Sequence, residues 1–329
     1  MEFHSDPSRN LALELARVTE AAALASGRFM GRGDKEGADQ AAVNAMRIVL
    51  QTVDMNGIII IGEGEKDNAP MLYNGENVGN GSPPDVDVAV DPIDGTRPLA
   101  FGRSNSLATV AIAPRGSMFD PGPFVYMNKL AVGPEAKGRI NIEMSITENL
   151  REIARAKKKD VEDLTTIILD RDRHKDMIAE IRRAGARIRQ IPDGDVAAAL
   201  MTAWPNSGVD VLIGVGGTPE GVIAACALRA MGGEIQGKLY ARDEAELRRG
   251  REAGYDFDKI LTMDDLVSSE DVFFAATGIT DGELLKGVRY FGDGASTDSL
   301  VVRGLTGTVR QITATHQIDK LRHFSAIKY

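Results

Sequence analysis

The stretch Asp85-Val86-Asp87-Val88-Ala89-Val90, followed by Asp91-Pro92-Ile93-Asp94-Gly95-Thr96, decides how the rest of this chain is read. Its alternation predicts a strand with Val86, Val88 and Val90 on one face. Pro92 has no NH to give to a sheet ladder, so the strand is expected to end at Asp91. Two carboxylates three residues apart then sit on the turn, Gly95 leaves the backbone room to approach a ligand, and Thr96 adds a hydroxyl. Carboxylate oxygens converging at a strand end suit a hard divalent cation such as Mg²⁺ or Mn²⁺. Beside such a cation, NH groups and a hydroxyl suit a phosphate. Asp, Pro and Gly also dominate ordinary turns, so this stretch alone reads equally well as a turn.

Upstream, Asp6-Pro7 offers a helix start, and Leu11, Leu15, Val18 and Ala22 recur at helical spacing toward Met30. Gly31-Arg32-Gly33-Asp34-Lys35 breaks that helix. A second one carries Val43, Met46, Leu50 and Val53 as its buried stripe, with Asp39 at its beginning, where the helix dipole alone would favour a carboxylate. Ile58-Ile59-Ile60-Ile61 predicts a buried strand that stops at Gly62-Glu63-Gly64-Glu65-Lys66-Asp67. Charge clusters are commonly solvated loops. Yet this is a second strand delivering carboxylates at its C-terminal end, where sites gather, so Glu63 and Asp67 become candidates.

Beyond Leu107–Ala113, another predicted strand, the charged helix around Glu148 leads into further α/β alternation. Thr166–Leu169 runs into Asp170-Arg171-Asp172-Arg173. Two arginines there could be surface ion-pair partners of little worth. In a phosphate-handling protein they read as a clamp, because guanidinium matches phosphate geometry. Arg187–Ile191 ends in Pro192-Asp193-Gly194-Asp195, with Asp195 a fair cap for a following helix. Val209–Ile213 runs into Gly214-Val215-Gly216-Gly217-Thr218-Pro219-Glu220, a glycine-rich strand-to-helix turn suited to phosphate. It lacks the spacing of a nucleotide-binding loop.

The 329 residues are 43% hydrophobic and 26% charged, as in a globular protein long enough for two domains. A net charge of −9 leaves no electrostatic footprint for nucleic acid. Cys226, the single cysteine, lies in an apolar run and excludes an intrachain disulfide. The first residues lack the pattern of a signal peptide, and no apolar run is long enough for a membrane span, so a cytoplasmic location is expected. The four histidines lack ligand spacing for zinc.

Gly33-Asp34-Lys35 with Asp39, Gly62-Glu63-Gly64-Glu65 and Asp91–Thr96 together resemble the metal-dependent, lithium-sensitive sugar and inositol phosphatase superfamily. Within it the chain resembles the bacterial class II fructose-1,6-bisphosphatases. The more particular segments are Gly31–Lys35, Ala69-Pro70-Met71-Leu72-Tyr73, Tyr126-Met127-Asn128-Lys129, Ile191–Val196, Gly216–Gly221 and Ala276-Thr277-Gly278-Ile279-Thr280. That resemblance implies a layered α/β fold with alternating helix and sheet layers (αβαβα) and the site between two domains. The division expected is a metal-binding catalytic domain over 1–155 and a sugar-phosphate-binding domain over 156–329.

The activity implied is hydrolysis of fructose 1,6-bisphosphate to fructose 6-phosphate and phosphate, a step of gluconeogenesis. Asp39, Glu63, Asp91, Asp94, Glu220 and the Ile93 carbonyl would hold two or three Mg²⁺ or Mn²⁺ ions. Thr96 would orient or help deprotonate the attacking water, relayed by Glu63 or Asp67, with Lys35 adding charge stabilisation. Asp94, Gly95, Thr96, Tyr126, Arg171, Asp172, Arg173, Asp193, Gly194, Asp195 and Gly217 would contact substrate, Arg171 and Arg173 holding the phosphate that is not hydrolysed. The family often has Lys where Arg171 stands, a swap that keeps charge and changes geometry. The same resemblance points to a homo-oligomer, a dimer or tetramer. A dual enzyme that also takes sedoheptulose 1,7-bisphosphate is the nearest alternative. An inositol monophosphatase would leave the arginine pair without a second anion, and a non-catalytic sugar-phosphate-binding protein would need a lost catalytic group.

Overall fold

In the computed structural model, which describes residues 10–63, 71–324 and 326–329, the spacing that begins at Leu11 becomes α1 (Ala12–Ser26). The next helix, α2 (Lys35–Leu50), is capped by Asp34, whose carboxylate accepts a hydrogen bond from the Gly37 NH. Strands and short helices follow as β1 (Asn56–Ile61), β2 (Asn77–Val78), β3 (Asp85–Asp94), α3 (Thr96–Ala100) and β4 (Leu107–Pro114). The middle of the chain supplies β5 (Tyr126–Val132), α4 (Ile146–Lys157), β6 (Thr165–Leu169), α5 (Lys175–Ala184), β7 (Arg187–Ile191), α6 (Asp195–Ala203), β8 (Val211–Gly217), α7 (Thr218–Met231) and β9 (Glu234–Leu239). The last strands are β10 (Phe273–Gly278), β11 (Arg289–Phe291), β12 (Gly294–Arg303) and β13 (Thr308–Gln317).

One sheet runs β11-β12-β10-β4-β3-β1-β2, with β13 on the other side of β12; the second runs β7-β6-β8-β5-β9. Sheet membership does not follow the expected division at residue 155. β5 belongs to the second sheet, and β10 to β13 return to the first. Strand alternation then sorts side chains into layers. Val86, Val88, Val90, Val110 and Val301 pack on α1 and α2. From the same strands Ala89, Ala111 and Val302 face the opposite way, onto α6 and α7, which also meet Met127, Ala131 and Ile167 of the second sheet. Leu130, Val132 and Ile168 face outward onto α4 and α5. The result is helix, sheet, helix, sheet, helix, as the resemblance implies.

Three local expectations are corrected. β3 does not stop at Asp91 but continues to Asp94, because the register slips between Asp91↔Thr109 and Asp94↔Leu107, and Pro92 sits inside that bulge where no ladder bond is asked of it. Asp87, on the opposite face of β3 from those valines, is buried as well; it accepts hydrogen bonds from the Ser117 and Met118 NH groups at 2.9 and 3.1 Å. The glycines at 214, 216 and 217 are strand, not turn, and α7 begins directly at Thr218. Gly194, with φ 90°, caps α6 in place of Asp195, which is the first helical residue. Asp6 and Pro7 lie outside the described residues.

Candidate active site

The bulge in β3 and the C-terminal ends of β1, β6, β7 and β8 meet at one rim. β5 runs antiparallel to β8, so its first residue, Tyr126, pairs with Gly217 and joins them. Together with α2 these ends line a cavity of about 1050 Å³ with walls from both sheets. Asp39, Glu63, Asp91, Asp94, Gly95, Thr96, Tyr126, Arg171, Arg173, Asp193, Asp195, Gly217 and Glu220 all face it, along with the Ile93 backbone segment.

On the first sheet's side, the Asp91 carboxylate accepts a hydrogen bond from the Ile93 NH at 3.0 Å, which fixes the bulge. The Thr96 hydroxyl donates to Asp39 at 3.1 Å and lies 3.4 Å from the Ile93 carbonyl, tying α3 to α2. Asp94 is 2% exposed and reaches the helix layer between the sheets, accepting from the Ala197 NH of α6 at 2.9 Å. Asp39 is on the second turn of α2 rather than at its start.

On the second sheet's side, Arg173 donates through Nε and Nη2 to the Val215 carbonyl, at 3.2 and 2.7 Å, and its guanidinium lies 5.2 Å from the Tyr126 ring centroid. Arg171 donates to the Pro192 carbonyl at 2.7 Å and lies 3.7 Å from Asp193. Both guanidiniums are thus held by the scaffold before any ligand arrives. The glycines of β8 have a steric reason. A Cβ at Gly216 would stand 2.1 Å from Asp195 Oδ2, and one at Gly217 1.6 Å from Glu220 Oε2. Bare backbone there lets both carboxylates lie across the strand end.

So much negative charge in one recess is unfavourable by itself. Burial, then the charges of Asp94, Glu63 and Glu220, holds the Asp91 carboxyl well above the usual range. Asp94 is raised by burial and by Asp195. Asp193 is raised by burial and by Asp195. Burial and Asp195 push Glu220 up to about 7, with Lys129 opposing them. One Glu220 oxygen is buried without a hydrogen-bond partner. An all-oxygen donor set with an orphaned carboxylate oxygen fits a hard divalent cation. Among the described residues, no three acidic, His or Cys side chains are already closed into a coordination shell.

A family model described as bacterial fructose-1,6-bisphosphatase, glpX-encoded, matches residues 9–316. The chain belongs to this family. It is 47% identical over 325 residues to the Escherichia coli (strain K12) protein named fructose-1,6-bisphosphatase 1 class 2, covering 95% of this chain and 96% of that protein. The same figures hold for the fructose-1,6-bisphosphatases class 2 of Escherichia coli O6:H1 and Shigella flexneri. The family is generally metal-dependent.

Some residues that the family resemblance singled out stand apart from the cavity. Lys35 places its ammonium 5.6 Å from the Phe101 ring centroid. Asp172 is exposed and pairs with Lys175 at 2.8 Å. Gly194 backs onto the cavity from the cap of α6, where a Cβ would lie 3.7 Å from Asp94 Oδ2. Asp67 and Glu65 lie outside the described residues. Sequence reading missed Glu36 and Gln40, which line the cavity three residues before and one residue after Asp39 on α2. It also gave no role to Lys129, although strand alternation puts that lysine on the face of Met127 and Ala131.

Proposed function

We propose that this chain hydrolyses the 1-phosphate of fructose 1,6-bisphosphate, releasing fructose 6-phosphate and inorganic phosphate. The observation that carries the reading is the polarity of the cavity, acidic at the ends of β1 and β3 and bearing two scaffold-held guanidiniums after β6. A substrate with two phosphates needs both ends. Family membership supports the same reaction.

Asp39, Glu63, Asp91, Asp94 and Glu220, with the Ile93 carbonyl, are assigned to Mg²⁺ or Mn²⁺. When bound, such ions supply Lewis acidity toward the phosphoryl oxygens and toward water. The chain's own groups do the rest. Thr96, hydrogen-bonded to Asp39, accepts a proton from the attacking water while passing its own hydroxyl proton to the Asp39 carboxylate. The water oxygen bonds to phosphorus, the bond to the C1 oxygen breaks, and that oxygen takes up a proton. NH groups of Gly95 and Thr96 face the reacting phosphate. Arg171, Arg173 and Tyr126 hold the 6-phosphate, and Asp193 and Asp195 take the sugar hydroxyls.

We further place the reaction in the cytoplasm, in gluconeogenesis, and assign the active form to a homo-oligomer. Cys226 is free and buried, which agrees with a reducing compartment. No helix among the described residues is long and apolar enough to cross a membrane.

The test is phosphate release by purified protein with Mg²⁺ or Mn²⁺, comparing fructose 1,6-bisphosphate, sedoheptulose 1,7-bisphosphate and inositol 1-phosphate, with Asp91→Ala as control. Metal-dependent turnover of the fructose substrate that the substitution abolishes is expected. Turnover of inositol 1-phosphate alone, or none of any substrate by folded protein, would overturn the assignment.

A further inference from the structure

Lys129 is 2% exposed in the middle of β5, flanked on the same strand face by Met127 and Ala131, both in the apolar layer between the sheets. Its ammonium donates to Asp195 Oδ2 and, at 2.8 Å, to the Gly217 carbonyl. Those two acceptors mark the first turn of α6 and the junction of β8 with α7. Both residues line the cavity, whereas Lys129 does not. The side chain threads a channel kept open by glycine. A Cβ at Gly216 would lie 3.0 Å from Lys129 Nζ, and one at Gly221 would lie 3.2 Å from its Cδ.

A buried ion pair is a poor route to stability, because desolvating an ammonium and a carboxylate offsets most of their attraction. What such a pair does supply is placement. We propose that Lys129 is a positioning residue for substrate binding, clamping Asp195 of α6 to the Gly217 carbonyl of β8 and so fixing the wall that receives the sugar. This rests on the proposed function. Without the clamp, Asp195 would be a buried carboxylate beside Asp94 and Glu220 with nothing to hold its direction. The consequence falls on binding of the sugar rather than on the attacking water, since Asp91 lies on β3 of the other sheet and Thr96 on α3 just after it.

Lys129→Met, Asp195→Asn and the double variant test this by steady-state kinetics, melting temperature and calorimetry of fructose 6-phosphate binding without metal. Lys129→Met is expected to raise KM and the fructose 6-phosphate Kd about tenfold while kcat stays within about threefold. In the Asp195→Asn background the same change is expected to alter Kd by less than about threefold, because the residue it acts through is already disarmed. A fall in melting temperature with unchanged KM and Kd would make Lys129 merely structural and overturn the proposal, as would losses that multiply in full. Should Lys129→Met alone fail to fold, the double variant, which buries no unpaired carboxylate, is compared with Asp195→Asn. Equal Kd values support the clamp, and a further tenfold loss overturns it. Wild-type protein that neither binds fructose 6-phosphate nor releases phosphate would overturn the functional reading and this inference together; active wild type with an unaffected Lys129→Met overturns the inference alone.

Discussion

Gly217→Ala probes the cavity where it is tightest. Gly217 has φ −67° and ψ 137°, a conformation any residue adopts, so alanine brings no backbone strain. Restricting the unfolded chain would by itself stabilise the fold by about 0.4–1 kcal/mol. The added Cβ, however, would stand 1.6 Å from Oε2 and 2.8 Å from Oε1 of Glu220. Those atoms end a flexible side chain, so the carboxylate swings away while the backbone stays in place. A strained rotamer costs roughly 0.5–1.5 kcal/mol. The two terms nearly cancel, and melting should shift by no more than about 4 °C. Activity has no such compensation. A reacting or ligating group misplaced by about 1 Å costs on the order of 10²-fold in rate. We therefore expect kcat/KM to fall about 10²-fold, read by phosphate release beside a thermal melt and Mn²⁺ calorimetry. Full activity would refute the need for Glu220 where it lies, and a collapse in melting temperature would refute the claim that only a side chain moves.

Thr96→Val removes the hydroxyl bonded to Asp39 and should lower kcat by roughly 10–10²-fold at nearly unchanged KM; an unchanged kcat excludes Thr96 from the chemistry. Asp91 and Asp94 are raised well above the carboxylate range and Glu220 to about 7, and such groups favour the fold while protonated. Metal-free protein should accordingly lose stability as pH rises from the ordinary Glu value of 4.5 through about 7, with added Mg²⁺ or Mn²⁺ stabilising most at the upper end. A flat metal-free melting profile across that interval would contradict it. In the core, Thr277 is bonded to Thr19 at 2.7 Å and to Ser299 at 2.8 Å, both buried. Thr277→Val should cost about 1–3 kcal/mol by orphaning the Ser299 hydroxyl, measured by urea unfolding, with activity retained.

The sequence disclosed what periodicity can encode. Val86, Val88 and Val90 on one face, and the stripe on α2, are local patterns, and the layered order follows from them. The strand through Pro92 was not legible, since only the pairing partners, Thr109 and Leu107, show that the ladder skips the proline. The run at 214–217 looked like a turn because glycine is turn-prone; the space over it is filled by His174 and Asp195, which arrive from distant segments, and by Glu220, which folds back from the first turn of α7. Nothing local marked Asp87 as a buried acceptor, its partners lying some thirty residues on. The acidic end of the site could be read because its residues are clustered along the chain. Its other wall could be read only through family likeness, and Lys129 not at all, because its partners lie 66 and 88 residues away.

The return of β10 to β13 to the first sheet has a consequence for synthesis on the ribosome. β4 gains its neighbour β10, with Ala108 opposite Thr277, only after the whole second sheet has been translated. Until then β4 is an open edge, the condition under which nascent chains pair wrongly with one another. The second sheet has no such delay, because β5 through β9 emerge in one run. Every residue assigned here to chemistry or binding precedes Gly221, yet α1 packs against β10 and β12, which come after residue 272. A nascent chain therefore carries its full set of reactive groups long before it owns the framework that aims them, and a truncation short of Phe273 should release an inactive, aggregation-prone product despite leaving all of those groups intact.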